Sequence, residues 1–518
     1  MMEKAGRYSR RTALGIIGVS GAVTAVGIAA RSGTGDPTAP GIDPYYPGDA
    51  RPGRGATVRR SPVGTSEVSR ENTRAGAGGF TLLDRRFAED RQGQIAGYAS
   101  ATSVEAGGSL DFHVSVAPAQ RYRIQVYRVG HYAGTGARLV AASPWQDGRT
   151  QAAPAVHPKT RMVSCGWDPG WRLAVGRHWV SGLYLALATG ADGWCQWIPF
   201  VVREPRRPTA GLVVLPTSTY QAYNRWPAVG HTGASLYYGF DDSGRWATGT
   251  RSLAVSHDRP YAGNGLPHHI RDEIGFVRWS ERHGDDVSYA TSEDLHTGRV
   301  DPARYRAVVF SGHDEYWSVP MRRAVATARD SGTSLVFLSS NNCYWRVRYG
   351  GSDARPDERI VDCAKVNPGP GQRPVRVTSQ WRRAGSPEQQ LIGAQYVSVV
   401  DDDAPLVVRE SGHWFWAGTG VRDGDEIPHT VRQEADQVMP DVDLPQSTDR
   451  RVLADSPYRR LGVAQRQQSS LYRAPSGAWV FAAGTMGWTR ALYADGFVDS
   501  RLRRATRNLL DRVLRLPE

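Results

Sequence analysis

The sequence predicts an α/β plus all-β protein: an N-terminal β-sandwich of Ig/lectin-like kind, then a doubly wound α/β domain. Three observations carry this. From Phe80 to Arg203, apolar and polar residues alternate in short runs bounded by Gly, Pro and Asp. That is the period of strands in a sandwich, and no long helical stretch interrupts it. After Glu204-Pro205-Arg206-Arg207-Pro208 the runs become wholly apolar, as in Gly211-Leu212-Val213-Val214-Leu215, which is how a strand reads when both faces are covered. Those strands then alternate with helical patterns, as from Val308 to Leu338, the order of a mostly parallel sheet.

Residues 1–31 read as an address. Ser9-Arg10-Arg11-Thr12 precedes a Gly/Ala-rich apolar run from Leu14 to Ala30, which matches a twin-arginine export signal. The run is too short and too mildly apolar for a membrane span. The expectation is export to the cell envelope or the extracellular space, with membrane contact only through an uncleaved signal segment. Residues 32–79 are rich in Gly, Pro, Arg, Ser and Thr and read as a disordered linker.

Residues 80–205 form the predicted sandwich, with strands at 95–100, 109–116, 122–129, 182–188 and 197–202. Residues 206–518 form the predicted α/β domain. It has strands at 211–215, 287–290, 306–310 and 334–338, and helices at 274–283 and 319–329. Further strands are expected at 396–400, 406–408, 414–417 and 479–483, and a closing amphipathic helix at 502–514.

The formal net charge of +13 comes almost wholly from Arg, since Lys occurs only at 4, 159 and 365. The arginines are scattered, with no basic helix and no zinc-knuckle spacing, so nucleic acid is not an expected partner. The four cysteines fall into two local pairs, Cys165 with Cys195 and Cys343 with Cys363. In an exported chain such pairs read as two disulfides. No CxxC occurs, which argues against a cysteine zinc site.

Chemistry concentrates at strand ends, where parallel sheets place their ligands. The run Val308-Val309-Phe310-Ser311-Gly312-His313-Asp314-Glu315-Tyr316 sets four polar side chains after a buried strand. Thr217 to Asn224 follows another strand, Ser339-Ser340-Asn341-Asn342 a third, and Ser256-His257-Asp258-Arg259-Pro260-Tyr261 adds a fourth polar segment. There is no GxSxG elbow, no P-loop and no GxGxxG turn at a strand end, so serine-nucleophile and phosphate-cradling chemistries are not indicated. Metal-assisted hydrolysis remains, and carboxylate and phenolate oxygens suit a hard, highly charged ion.

Several phrases carry a resemblance. Thr219-Tyr220-Gln221-Ala222-Tyr223-Asn224, Arg259-Pro260-Tyr261 and His313-Asp314-Glu315-Tyr316 resemble the large (beta) subunit of N,N-dimethylformamidase. So do Tyr127-Arg128-Val129-Gly130-His131-Tyr132 and Gly182-Leu183-Tyr184-Leu185-Ala186-Leu187. The likeness spans about residues 80–515.

The resemblance implies a glutamine-amidotransferase-like α/β domain. It implies a mononuclear iron site, in the Fe³⁺ state, held by Tyr220, Tyr261 and Glu315, with Tyr223 the rival of Tyr220. His313 would lie beside the metal, and Asn341 would position water or substrate. The implied activity is hydrolysis of the C–N bond of a small amide, with a small partner subunit or a homo-oligomer as the expected assembly. Two other readings stand beside it. One is a non-catalytic cell-envelope protein that binds glycan or peptide; the other is a zinc hydrolase using His313 and His257.

Overall fold

The computed structural model describes residues 66–515 except 205, 208, 230–231, 351–357 and 367–377. The export segment and residues 32–65 of the expected linker lie outside the described residues. The fold is mixed, an α/β part plus a β part.

The linker expectation fails at its C-terminal end. Glu67–Asn72 is a helix, N-capped by Ser66, whose hydroxyl accepts from the Ser69 N–H. The reason is tertiary. Glu71 is 3% exposed, accepts from the Tyr132 hydroxyl at 2.8 Å and pairs with Arg138 at 2.7 Å. The Asn72 side chain accepts from the His131 and Tyr132 N–H groups.

The β part has two main sheets and a two-stranded ribbon, Ala155–Val156 with Val163–Ser164. One orders Ile95–Ala99, Ser109–Val116 and Pro169–Ala174; the other orders Ser103–Glu105, Cys195–Arg203, Gly182–Gly190, Arg121–Val129 and Ala137–Ala142. Phe112, Val114 and Leu173 from the first share one apolar cluster with Ile124, Val126, Ala186 and Phe200 from the second. The other face of the second sheet, through Leu183, Leu185, Trp197 and Val201, joins the core of the α/β part. Both faces of Gly182–Gly190 are therefore covered, which explains its nearly unbroken apolar sequence.

The central sheet of the α/β part runs Val287–Thr291, Gly211–Leu215, Ala307–Phe310, Ser334–Phe337, Trp479–Ala482, Val463–Arg473, Asp449–Arg460. The first five strands are parallel and the last two antiparallel. Alternate residues face opposite layers. Val213, Leu215, Val309 and Val336 pack towards helices Ile270–Arg282 and Ser500–Leu514. Leu212, Val214, Val308 and Phe337 pack towards helix Val319–Asp330, through Met321 and Val325.

The chain enters at Gly211–Leu215, steps to Val287–Thr291 on one side, and returns to Ala307–Phe310 on the other. Strand order thus reverses between Gly211–Leu215 and Ala307–Phe310, and a crevice at their carboxyl ends is the expected ligand position.

Two expectations need correction. Trp414–Trp416 is a 3₁₀ turn, not a strand; Phe415 is driven into the core against Phe481 and Trp488. The four cysteines are free buried thiols rather than two disulfides. Cys165 and Cys195 belong to different apolar clusters. Burial pushes the Cys343 and Cys363 thiols up to about 12. Among the described residues no helix is long and apolar enough to cross a membrane.

Candidate functional site

The strand Ala307–Phe310 ends in a turn that folds back on the helix Thr217–Tyr223. Thr219 Oγ1 accepts from the Glu315 and Tyr316 N–H groups at 3.0 and 3.3 Å. Ser218 Oγ donates to the Tyr316 carbonyl at 2.7 Å. Two strand ends are thereby locked together at the reversal point. Gly312 is required there, because a Cβ on it would meet the Glu273 carboxyl oxygen at 1.7 Å.

On this frame three oxygens meet. The Tyr223 hydroxyl donates to Glu315 Oε2 at 2.9 Å, and the Tyr237 hydroxyl reaches the same oxygen at 2.6 Å. The two hydroxyls are 3.1 Å apart, and their rings stack at 4.6 Å. Tyr237 owes its place to its neighbours. Leu236 is fully buried, its N–H bonds the Ala222 carbonyl, and Ser235 Oγ accepts from the Tyr237 N–H.

His313 completes the cluster. Its Nε2 is 3.2 Å from the Tyr223 hydroxyl and 3.3 Å from Glu315 Oε2. Its Nδ1 lies 3.1 Å from the Ser340 carbonyl and 3.8 Å from Glu434 Oε2. Asn341 is next to Ser340, and its N–H is held by Asp436 at 2.8 Å. Lys365 Nζ sits 3.6 Å from the centre of the Tyr237 ring, with Trp345 at 4.9 Å and Tyr316 at 5.4 Å. Asn341, Lys365 and His269 all hold positive φ (54°, 54° and 68°), a backbone cost that collects at functional sites.

The electrostatics follow from burial. The phenols of Tyr223 and Tyr237 lie well above their ordinary value, because burial and then the Glu315 charge disfavour a second anion. Burial opposes the imidazolium of His313, but Glu434 and Glu315 outweigh it and raise the group to about 9. Burial lifts Glu434 to about 7, with the Glu315 charge adding to it and His313 opposing. Glu315 is held below the usual carboxylate range: burial works against its charge, and His313, Lys365 and Tyr237 prevail.

Of the residues expected at the metal, the structure brings Glu315, His313 and Asn341 together. It places Tyr220 and Tyr261 elsewhere. Both line a small cleft against the second sheet with Leu183, Phe200 and Ile270. The charge that most affects the Tyr220 hydroxyl is that of Glu273, and neither phenol bonds Glu315. The reason is helical geometry. Tyr223 lies one turn beyond Tyr220, roughly 4.5 Å further along the axis, at the helix end that faces His313.

Tyr237 is not singled out by sequence reasoning, since it sits in an aperiodic loop. Its one signal is a second tyrosine-rich stretch, Tyr237-Tyr238. Glu434 and Lys365 are missed in the same way. His257 does not approach His313; it pairs with Glu293 at 3.1 Å. Among the described residues no group of three or more His, Cys, Asp or Glu could hold a metal ion.

Fold and cluster together define an α/β protein with an all-oxygen triad of two half-buried phenols and a buried carboxylate at the reversal point of its sheet. Residues 123–499 match the family described as N,N-dimethylformamidase beta subunit-like, C-terminal, and the chain belongs to that family. Membership supports a hydrolase of that kind at the level of the family, and the family description is of a subunit. No curated protein matches the chain.

Among the solved structures it resembles, three likenesses are faint. A superoxide reductase (neelaredoxin) from Ignicoccus hospitalis is 13% identical over 21% of this chain and 81% of its own, with a TM-score of 0.13. A beta-glucosidase from Listeria innocua is 12% identical over 21% of this chain and 16% of its own, at 0.13. A glucanotransferase from Paenibacillus sp. is 7% identical over 60% of this chain and 61% of its own, at 0.15. None carries a structural argument.

Proposed function

We propose that this chain is an exported, iron-dependent amidohydrolase that cleaves the C–N bond of a small linear amide. The observation that carries the reading is the meeting of Tyr223, Tyr237 and Glu315 on one carboxylate oxygen. The donor set fits a mononuclear Fe³⁺: three hard oxygens, able to carry three negative charges, held 2.6 to 3.1 Å apart at a half-buried spot. Tyr223 and Tyr237 take the roles that the resemblance assigned to Tyr220 and Tyr261.

When bound, the ion supplies Lewis acidity towards an amide carbonyl or a water molecule. The chain's own groups handle the protons. Glu434, with its carboxyl near neutrality, takes the proton from the attacking water. His313 holds a proton at Nε2 and passes it to the amide nitrogen as the C–N bond breaks. Asn341 orients the substrate or the water from the next strand end. The crowding by Tyr223, Tyr237, His269 and His313 restricts the substrate to a small one.

In this reading the two β sheets are an Ig/lectin-like sandwich on a glutamine-amidotransferase-like domain. A small partner subunit or a second copy completes the assembly, and the twin-arginine segment delivers the folded protein to the envelope or beyond.

The test is metal analysis of purified protein, with visible absorption and a screen of small N-substituted amides. One iron per chain, a phenolate-to-iron band, and loss of both band and activity in Glu315→Gln support the reading. A protein that takes up no iron and hydrolyses no amide refutes it, leaving the glycan- or peptide-binding alternative.

A further inference from the structure

Thr217–Tyr223, which delivers Tyr223 to the centre, is only seven residues long and has no side-chain cap: Pro216 precedes it and has no side-chain group to bond the first N–H groups. A helix that short does not hold itself together in water. Something outside it must fix its position, and the structure shows what does.

Glu293 is 2% exposed, accepts three hydrogen bonds and has an imidazole beside it. Thr217 Oγ1, on the first residue of the helix, donates to Glu293 Oε2 at 2.5 Å. Thr102 Oγ1, from the β part, donates to the same oxygen at 2.8 Å. The Tyr349 hydroxyl donates to Oε1 at 2.7 Å, and His257 Nε2 stands 3.1 Å from Oε1. Thr217 Oγ1 also accepts from the Ser292 N–H at 3.1 Å. Burial works against the Glu293 charge, but His257, Thr217 and Tyr349 outweigh it and hold the carboxyl down at about 2.

We propose that Glu293 is a positioning residue of the reaction centre: it grips Thr217 and so sets where Tyr223, at the far end of the same helix, presents its hydroxyl. The lever is about 9 Å long. A tilt at Thr217 is carried to an oxygen that must share a partner with Tyr237. Through Thr102 the same carboxylate ties that helix to the β part, so the β part helps to set the centre as well as carry it. This inference rests on the reaction centre proposed above.

The experiment compares Glu293→Gln, Thr217→Val and Thr217→Ser in the full chain. Iron loss to a chelator, the phenolate-to-iron band, kcat and KM are read on loaded protein. Amide hydrogen exchange of the 215–224 peptide is read on metal-free protein. Glu293→Gln and Thr217→Val are expected to release iron about tenfold faster, to shift the band and to lower kcat about tenfold with KM nearly unchanged. Thr217→Ser keeps the hydroxyl and behaves as wild type. Exchange over 215–224 rises about tenfold in Thr217→Val and not in Thr217→Ser.

Wild-type band, kcat and exchange in Thr217→Val overturn the proposal. If Glu293→Gln does not fold, the Thr217 pair decides alone. If wild-type protein takes up no iron, the proposed function fails; the exchange comparison then still supports the grip on the helix if the two Thr217 variants differ, and overturns it if they do not.

Discussion

Tyr237→Phe isolates one oxygen of the proposed triad. The ring stays, so its stacking on Tyr223 at 4.6 Å and its contact with Lys365 at 3.6 Å survive; what is lost is the 2.6 Å bond to Glu315 and the 3.1 Å contact with the Tyr223 hydroxyl. A hydrogen bond to a charged, buried partner contributes roughly 1.5–3 kcal/mol, so metal-free Tyr237→Phe should be less stable by about that amount in urea unfolding. With metal, one of three donors is gone. The same energy corresponds to about a ten- to hundredfold weaker hold on iron, together with loss of part of the phenolate-to-iron absorption. Tyr220→Phe is the matched control, because the Tyr220 hydroxyl answers to Glu273 and not to Glu315. It should keep full iron and full colour. Colour that survives Tyr237→Phe but vanishes in Tyr220→Phe or Tyr261→Phe would refute the reassignment and restore the ligand set expected from the resemblance.

Three further outcomes are expected. Glu434, Asp436 and Asp314 are each raised to about 7, first by burial, and His313 to about 9 by its carboxylate neighbours against burial. The folded chain therefore keeps protons that the unfolded chain has released. The carboxyl contributions are whole below about pH 4 and gone by about pH 7, and that of His313 fades from about pH 6.5 to 9. Metal-free protein should accordingly unfold at lower urea near pH 8.5 than near pH 7, above the range in which the depressed histidines His131, His268 and His269 act in the opposite sense. Gly312→Ala drives a methyl into the Glu273 carboxyl; a lowered melting temperature, by about 1–3 kcal/mol of stability, and a damaged reaction centre should follow. Thiol titration in denaturant without reductant should find the four cysteines free, and two or fewer would contradict the structure.

The α/β sheet is legible in the sequence where physics leaves a plain mark. Gly211–Leu215, Ala307–Phe310 and Ser334–Phe337 are covered on both faces, so their sequences are unbroken apolar runs. Helix Ser500–Leu514 buries one stripe, through Leu502, Leu509, Leu510 and Val513, and its period shows it. Trp414–Trp416 misleads because three aromatics in a row fit a buried strand or a tight turn equally well, and only the packing of Phe415 chooses. The site is half legible for a similar reason. Glu315 and His313 follow directly from a strand, so position along the chain reports position in space. Tyr237 is set by Leu236 and Ser235 through contacts that no local period records. Tyr220 and Tyr223 share a helix, and which of them faces Glu315 depends on where that helix stops.

Helix Ile270–Arg282 has one end at the chemistry and the other at the seam. His269, just before it, stacks edge-on against Tyr223 and His313. Glu281, near its last turn, is clasped by Arg128 of the β part at 2.8 Å, with both side chains wholly hidden from solvent. Stripping one member from such a hidden pair costs about 3–5 kcal/mol. A truncation beginning near residue 206 would strand that glutamate beside the vacated seam. Anyone seeking a minimal working fragment of this chain should accordingly keep the β half attached, since the cut drawn by composition at the Pro-rich boundary passes through a joint rather than between two independent parts.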